Sequence, residues 1–93
     1  MEGFREYLGR KGLDEGRSRS AVMNALEFEG HLARSDSDIR NCEKVLLDRY
    51  LESLIAEGRN EPERLVDIAR YCAYRSRPDL FIHLATMINS YDI

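Results

Sequence analysis

The sequence lacks the features that would place it at once in a membrane or secreted class. It has no apolar run near the roughly 20 residues that cross a bilayer. Its start, MEGFREYLGRKG, lacks the apolar block of a secretion signal. Two cysteines, Cys42 and Cys72, are too few for a disulfide framework. We therefore expect a cytoplasmic protein with two free thiols and no membrane contact.

Signals for β-structure are equally scarce. No segment alternates apolar and polar residues as a strand does, no asparagine-glycine pair marks a hairpin, and proline occurs only twice. Helix-forming residues dominate, and 43% apolar residues in 93 positions are enough for one core. The sequence predicts an all-α fold in which residues 1–93 form a single compact bundle of four to five short helices. This bundle is either the whole protein or the N-terminal domain of a longer one.

Apolar residues at three- and four-residue spacing indicate where the helices lie. The expected bounds are about Glu2–Lys11, Asp14–Ser35, Val45–Glu57, Asn60–Arg75 and Pro78 onward. The charged stretch 36–44 is the weakest place for a fixed structure, because it offers few apolar residues to bury.

Capping residues and glycines mark the predicted helix ends. Gly12 and Gly58 can adopt the left-handed conformation that ends a helix. Asp14 is a good N-cap for the second helix. Asn60 can cap the fourth helix, with Glu63 as the reciprocal partner of a capping box.

The fifth predicted helix is apolar on two sides. One face carries Phe81, Leu84, Ala85 and Ile88, and a second, partial face carries Leu80 and Met87. A helix of this kind is either deeply buried or covered by a partner. The pattern favours a domain that binds another protein, or a second copy of itself, through the fifth helix.

Signatures of catalysis and of metal binding are missing. The histidines and cysteines, His31, His83, Cys42 and Cys72, show no close ligand spacing. No serine lies in a nucleophile elbow, and no glycine loop could cradle a phosphate. Cys72 lies on an apolar face and is expected to be buried and inert, whereas two basic neighbours could lower the pKa of Cys42. We expect no enzyme activity, no metal and no cofactor.

Two stretches are basic although the chain has a net charge of -3. The first contains Arg10, Lys11, Arg17 and Arg19, with Ser18 and Ser20 among them. The second, RYCAYRSR, contains Arg70, Arg75 and Arg77 with Tyr71 and Tyr74. Arginine beside tyrosine suits phosphate contact and base stacking. The alternative is an ordinary charged surface on which the tyrosines cover the core.

The order of these signals resembles the core-binding, SAM-like domain that precedes the catalytic domain of phage-integrase-type tyrosine recombinases. FREYLGRKGLDEGRSRSAVMNALEFEGHL shows an aromatic-x-x-Tyr-Leu helix, a Gly-Leu turn and an Arg-Ser helix, and LLDRYLESLIAEGRNEPERLVDIARYCAY is similar to the later helices. The matching positions are Phe4, Tyr7, Leu8, Gly12, Leu13, Arg19, Ser20, Phe28, Leu32, Leu47, Asp48, Tyr50, Leu51, Gly58, Leu65, Ile68 and Tyr71. The chain departs from the pattern at Arg17, where the family has Thr, and at Ala21, where it has an aromatic residue.

The resemblance implies a non-catalytic DNA-binding module of the kind used in DNA recombination, since the recombinase nucleophile belongs to the separate catalytic domain. It implies duplex contact through the second and fourth helices. The residues expected to contact DNA are Arg17, Arg19, Ser20, Arg70, Arg75 and Arg77. Most of these contacts would be to phosphates, and for a net acidic chain the affinity would be weak and strongly salt-dependent.

Overall fold

Five α-helices, with no strand, make up the part of the chain that the structure describes. The computed structural model describes the backbone of residues 1–91 and the side chains as far as Ile88. The helices are α1 (Glu2–Arg10), α2 (Glu15–Arg34), α3 (Lys44–Ala56), α4 (Pro62–Tyr74) and α5 (Pro78–Tyr91). The all-α prediction is confirmed, and the helix ends lie within two residues of the expected bounds.

The ends of α1, α2 and α3 follow the predicted local chemistry. Gly12 and Gly58 have φ angles of 91° and 70°, the left-handed conformation that glycine adopts without strain. The Asp14 side chain caps α2 by accepting a hydrogen bond from the backbone N–H of Arg17 at 2.7 Å.

The predicted capping box of α4 is wrong. The helix begins at Pro62, and Glu61 occupies the N-cap position without a side-chain cap bond. Asn60 therefore lies one residue too early to cap. Glu63 does not reach back to the helix start, because its carboxylate pairs with the guanidinium of Arg17 on α2.

The core lies around α4, which packs most extensively against α5 and α2. The apolar face of α4, which the three- and four-residue spacing marks, is buried: Leu65, Ile68, Ala69 and Cys72. The corresponding stripe of α2 is fully buried: Ala21, Ala25, Phe28 and Leu32. Two apolar residues at the edges of these helices, Leu26 on α2 and Ile55 on α3, are 48% and 44% exposed.

The segment between α2 and α3, residues 35–43, has a fixed conformation, although the overlapping stretch 36–44 was expected to be the weakest part of the structure. Ile39 and Cys42 anchor it in the core, with exposures of 2% and 1%. Asp38 accepts a hydrogen bond from the backbone N–H of Asn41 at 2.9 Å and so closes a turn. The high charge of this segment gave no indication in the sequence that Ile39 and Cys42 would be buried.

Candidate functional site

The residues predicted to contact DNA lie in three parts of the fold. They are Arg17, Arg19 and Ser20 near the start of α2, Arg70 in α4, and Arg75 and Arg77 between α4 and α5. The structure brings Arg17 and Arg70 together, because both approach the carboxylate of Asp67. Arg75 and Arg77 bond to other residues and Arg19 is exposed, so these arginines do not form one basic face in the described part of the chain.

Arg17 is held by two carboxylates of α4. Its Nη1 and Nη2 donate to Oδ2 and Oδ1 of Asp67 at 3.0 and 2.6 Å, and its Nε pairs with Oε1 of Glu63 at 2.6 Å. The hydrogen bond to Asp67 raises the pKa of Arg17 above its usual value. Because Asp67 is fully buried, its carboxylate depends on protein donors such as Arg17 in place of water. Arg17 therefore stabilises the contact between α2 and α4, and the donors that face Asp67 are already used.

A chain of polar contacts extends from Asp67 along the α2–α4 interface. Asn24 donates to Oδ2 of Asp67 at 2.9 Å, and Arg64 donates to Oδ1 of Asn24 at 2.8 Å and to Oε2 of Glu27 at 3.2 Å. We call Arg17, Asn24, Glu27, Arg64 and Asp67 the α2–α4 polar seam. The seam fixes how the two helices face each other, because every bond in it requires a specific register.

Sequence reasoning missed Asp67 as the centre of this seam. Its signal is its position between Leu65 and Ile68, inside the apolar face of α4. A carboxylate in such a place must find a charged or hydrogen-bonding partner. The partner itself, Arg17, lies fifty residues away along the chain and cannot be identified from periodicity.

The groove between α2 and α4, where the resemblance implies DNA contact, is not basic. It is lined by Arg17, Ser20, Met23, Asn24, Glu61, Glu63, Arg64 and Asp67. Two guanidinium groups therefore face three carboxylates. A phosphate in this groove would meet repulsion as well as attraction, so the groove offers no net attraction for a polyanion.

Arg77 has a structural role at the junction of α4 and α5. Its guanidinium donates to the backbone carbonyls of Ile39, Arg40 and Cys42, with the bond to Cys42 at 2.8 Å. It also pairs with Asp79 at 2.8 Å, which lowers the pKa of Asp79 to about 2. Arg77 thus ties the 35–43 segment to the start of α5.

Arg75 and the tyrosines of α4 belong to an aromatic cluster with α1. Nη1 of Arg75 donates to the hydroxyl of Tyr71 at 3.0 Å, and that hydroxyl donates to Oε1 of Glu29 at 2.5 Å. Tyr71 is 2% exposed and meets the ring of Phe4 edge-on at 5.1 Å between centroids. Burial raises the pKa of Tyr71. Because its ring is enclosed, Tyr71 covers the core and cannot stack on a base.

The other predicted contacts are open to solvent. Arg19 and Ser20 are exposed, and their side chains make no hydrogen bond with any residue that the structure describes. Arg70 is 36% exposed, and its Nη1 lies 3.7 Å from Oδ1 of Asp67, too far for a hydrogen bond. These side chains keep free donors.

Both thiols are buried and neither is activated. Burial raises the pKa of Cys72 to about 12 and also raises the pKa of Cys42. The expectation that basic neighbours lower the pKa of Cys42 is wrong, because burial outweighs the opposing effect of Arg77. Within the described residues, no three His, Cys, Asp or Glu side chains are close enough to hold a metal ion.

A second groove, with an apolar lining, lies between α4 and α5. It is formed by Val66, Ala69, Arg70, Phe81, Ala85 and Ile88, and we call it the α4–α5 groove. Phe81 is 39% exposed, and Ile82, the next residue on α5, is 62% exposed. Arg70 is the single charged residue in the lining.

The two apolar sides of α5 are divided differently from the prediction. Leu80 and Leu84 are fully buried and form the core face. Phe81, predicted on the same face as Leu84, is 39% exposed and lines the α4–α5 groove with Ala85 and Ile88. Successive helical residues are rotated by about 100°, so the row that α4 covers through Leu80 and Leu84 leaves Phe81 and Ile82 at the edge.

No protein-family model, no curated protein and no solved structure matches this chain. None of the helices in the described part of the chain has both the length and the apolar character that crossing a membrane requires.

Proposed function

We propose that this chain is a non-catalytic protein-interaction domain that binds its partner through the α4–α5 groove. One observation carries the proposal: α5 buries Leu80 and Leu84 completely and still presents Phe81 and Ile82 to water. Covering adjacent large apolar side chains with another apolar surface is favourable, because it removes them from water. The groove and this exposed pair therefore suit an interface.

The lining of the groove also fits binding better than chemistry. Its atoms are aliphatic and aromatic apart from Arg70, so no acid, base or nucleophile is present to act on a substrate. A groove between two helices takes the apolar face of a third helix, whose anchors recur at three- and four-residue spacing. An amphipathic helix is therefore the form of partner that we expect.

The proposal is tested by titrating uniformly ¹⁵N-labelled protein with a neutral synthetic peptide that has leucines at positions i, i+3, i+4 and i+7 in an alanine-glutamine helix. We expect amide shift changes confined to α4 and α5, around Val66, Arg70 and Ile82. Ile82→Ser should weaken this binding about tenfold, because it removes most of a buried apolar side chain at the interface.

Val45→Ser is the matched control. Val45 is 57% exposed, nearly as open as Ile82, but it lies at the start of α3, whereas Ile82 adjoins the groove residue Phe81 on α5. This variant should bind like the wild type. Equal losses in both variants, or shift changes spread over α1 and α2, would contradict the proposed surface.

The prediction of duplex contact, and with it the SAM-like type of the bundle, stays a prediction. It is tested by titrating labelled duplex at low salt into the wild type and into Arg19→Glu with Arg75→Glu. Arg17 and Arg77 are unsuitable for this test, because their contacts to Asp67 and to the 35–43 segment hold the fold. Duplex binding by wild type that the double charge reversal abolishes would favour DNA as the ligand. No duplex binding by wild type would favour the protein-interaction proposal.

A further inference from the structure

Arg70 stands apart from the other residues of the α4–α5 groove. The Asp67 carboxylate beside it already accepts hydrogen bonds from Arg17 and Asn24, which leaves Arg70 at 3.7 Å from the nearer oxygen. Arg70 donates no hydrogen bond to any residue in the described part of the chain. Its N–H groups therefore donate to water when the groove is open.

Covering the groove changes the surroundings of Arg70. An apolar helix laid over Phe81 and Ile88 would displace water from the guanidinium at the same time. A charged group that loses water without a replacement acceptor opposes binding. The partner must then supply an acceptor, and a carboxylate matches the guanidinium by forming two parallel hydrogen bonds.

A second copy of this chain is a poor occupant. The exposed apolar surface at Phe81 and Ile82 is at most roughly a few hundred Å², whereas a stable interface buries about 800 Å² on each partner. The outward face of α5 also lacks a free carboxylate, since Asp79, the acidic residue of this helix, is paired with Arg77. Neither area nor charge favours a symmetric contact between two α5 helices.

We infer that the α4–α5 groove recognises an acidic amphipathic helix, whose apolar stripe covers Phe81 and Ile82 and whose flanking carboxylate pairs with Arg70. The inference rests on the proposed function and adds the chemical class of the partner. Arg70 sets the preference for an acidic partner, and the apolar residues supply binding that does not depend on charge.

The test uses three sets of fluorescein-labelled peptides that share one leucine stripe and carry Glu, Gln or Lys at each flanking position in turn. Fluorescence anisotropy gives their affinities for the wild type, Arg70→Gln and Arg19→Gln. We expect the best Glu peptide to bind wild type about tenfold more tightly than its Gln counterpart, and the Lys counterpart to bind more weakly still.

The variants distinguish the inference about an acidic partner from the proposed function of the groove. Arg70→Gln should bind all three peptides with similar affinity, and Arg19→Gln, an exposed arginine outside the groove, should keep the preference for Glu. Equal binding of all peptides by wild type, or a Glu preference that survives in Arg70→Gln, overturns the inference but leaves the proposed function. Absence of binding by every peptide overturns both.

Discussion

Arg17 and Arg19 lie two residues apart on α2 and have opposite surroundings. Arg17 is bonded to a fully buried carboxylate, whereas Arg19 is exposed and unpaired within the described residues. Composition alone treats the two side chains as equivalent. The difference comes from Asp67, which binds Arg17 at the α2–α4 interface, whereas Arg19 stays exposed on the surface.

Arg17→Ala should therefore lower the free energy of unfolding by about 3 kcal/mol, because it leaves the Asp67 carboxylate buried without its main partner. Arg19→Ala, the matched control, should change it by no more than about 0.5 kcal/mol. Urea denaturation followed by circular dichroism measures both. Similar small effects in the two variants would mean that the seam contributes little to stability.

His31 gives a pH dependence that can be measured at the same scale. Its Nε2 is buried without a hydrogen bond among the described residues, and burial lowers its pKa. Since the folded state disfavours the protonated ring, the unfolded chain binds more protons once the pH falls below about 6.5. The contribution of His31 to stability is then lost progressively as the pH falls.

His31→Phe should reduce this loss, since phenylalanine keeps the ring beside Tyr50 but cannot be protonated. We expect the variant to gain stability relative to wild type between pH 7 and pH 5, as measured by thermal unfolding at several pH values. A constant difference across this range would exclude His31 as the titrating group.

At the scale of the element, the backbone conformation requires glycine at some positions and allows other residues at others. Gly58 ends α3 with a φ of 70°, and the N–H of Arg59 bonds back to the carbonyl of Leu54 at 2.7 Å. Gly9 lies within α1, and a Cβ added there would meet nothing within 4 Å. The same substitution should therefore have opposite effects.

Gly58→Ala should destabilise the protein by about 1–2 kcal/mol, because alanine is strained in the left-handed conformation. Gly9→Ala should stabilise it by about 0.5–1 kcal/mol, since alanine favours the helix. Differential scanning calorimetry of both variants against wild type checks the signs. A stabilising Gly58→Ala would show that α3 does not end as described.

Helix positions were largely predictable because they depend on local periodicity and caps, as the stripe from Ala21 to Leu32 shows. What failed depends on contacts between distant residues. Hydrogen bonds to the 35–43 segment come from Arg77, and the exposure of Phe81 depends on which row of α5 packs against α4. The paired state of Arg17 depends on Asp67. The candidate site was therefore less predictable than the fold.

At the scale of the whole molecule, the small apolar area beside the α4–α5 groove predicts that this surface does not hold two copies of the domain together. The net charge is -3, and Phe81 and Ile82 offer less area than a stable dimer requires. The domain should therefore meet its partner through a small contact with moderate affinity.

Sedimentation equilibrium at about 100 µM should accordingly give the mass of a single chain, because a contact of this size holds identical copies only weakly. Ile82→Ser should leave that mass unchanged. A dimer that Ile82→Ser dissociates would show that the α4–α5 groove is an interface between copies, and the acidic-partner inference would then be wrong.

The way Arg77 holds the 35–43 segment has a consequence for protein engineering. Its bonds go to backbone carbonyls, which every residue type provides, so they place no demand on the side chains of the segment. Arg40 is exposed, and its side chain makes no hydrogen bond with any described residue, so this position should accept almost any replacement. A fluorophore or spin label attached at Arg40 would therefore report on this domain without disturbing its groove.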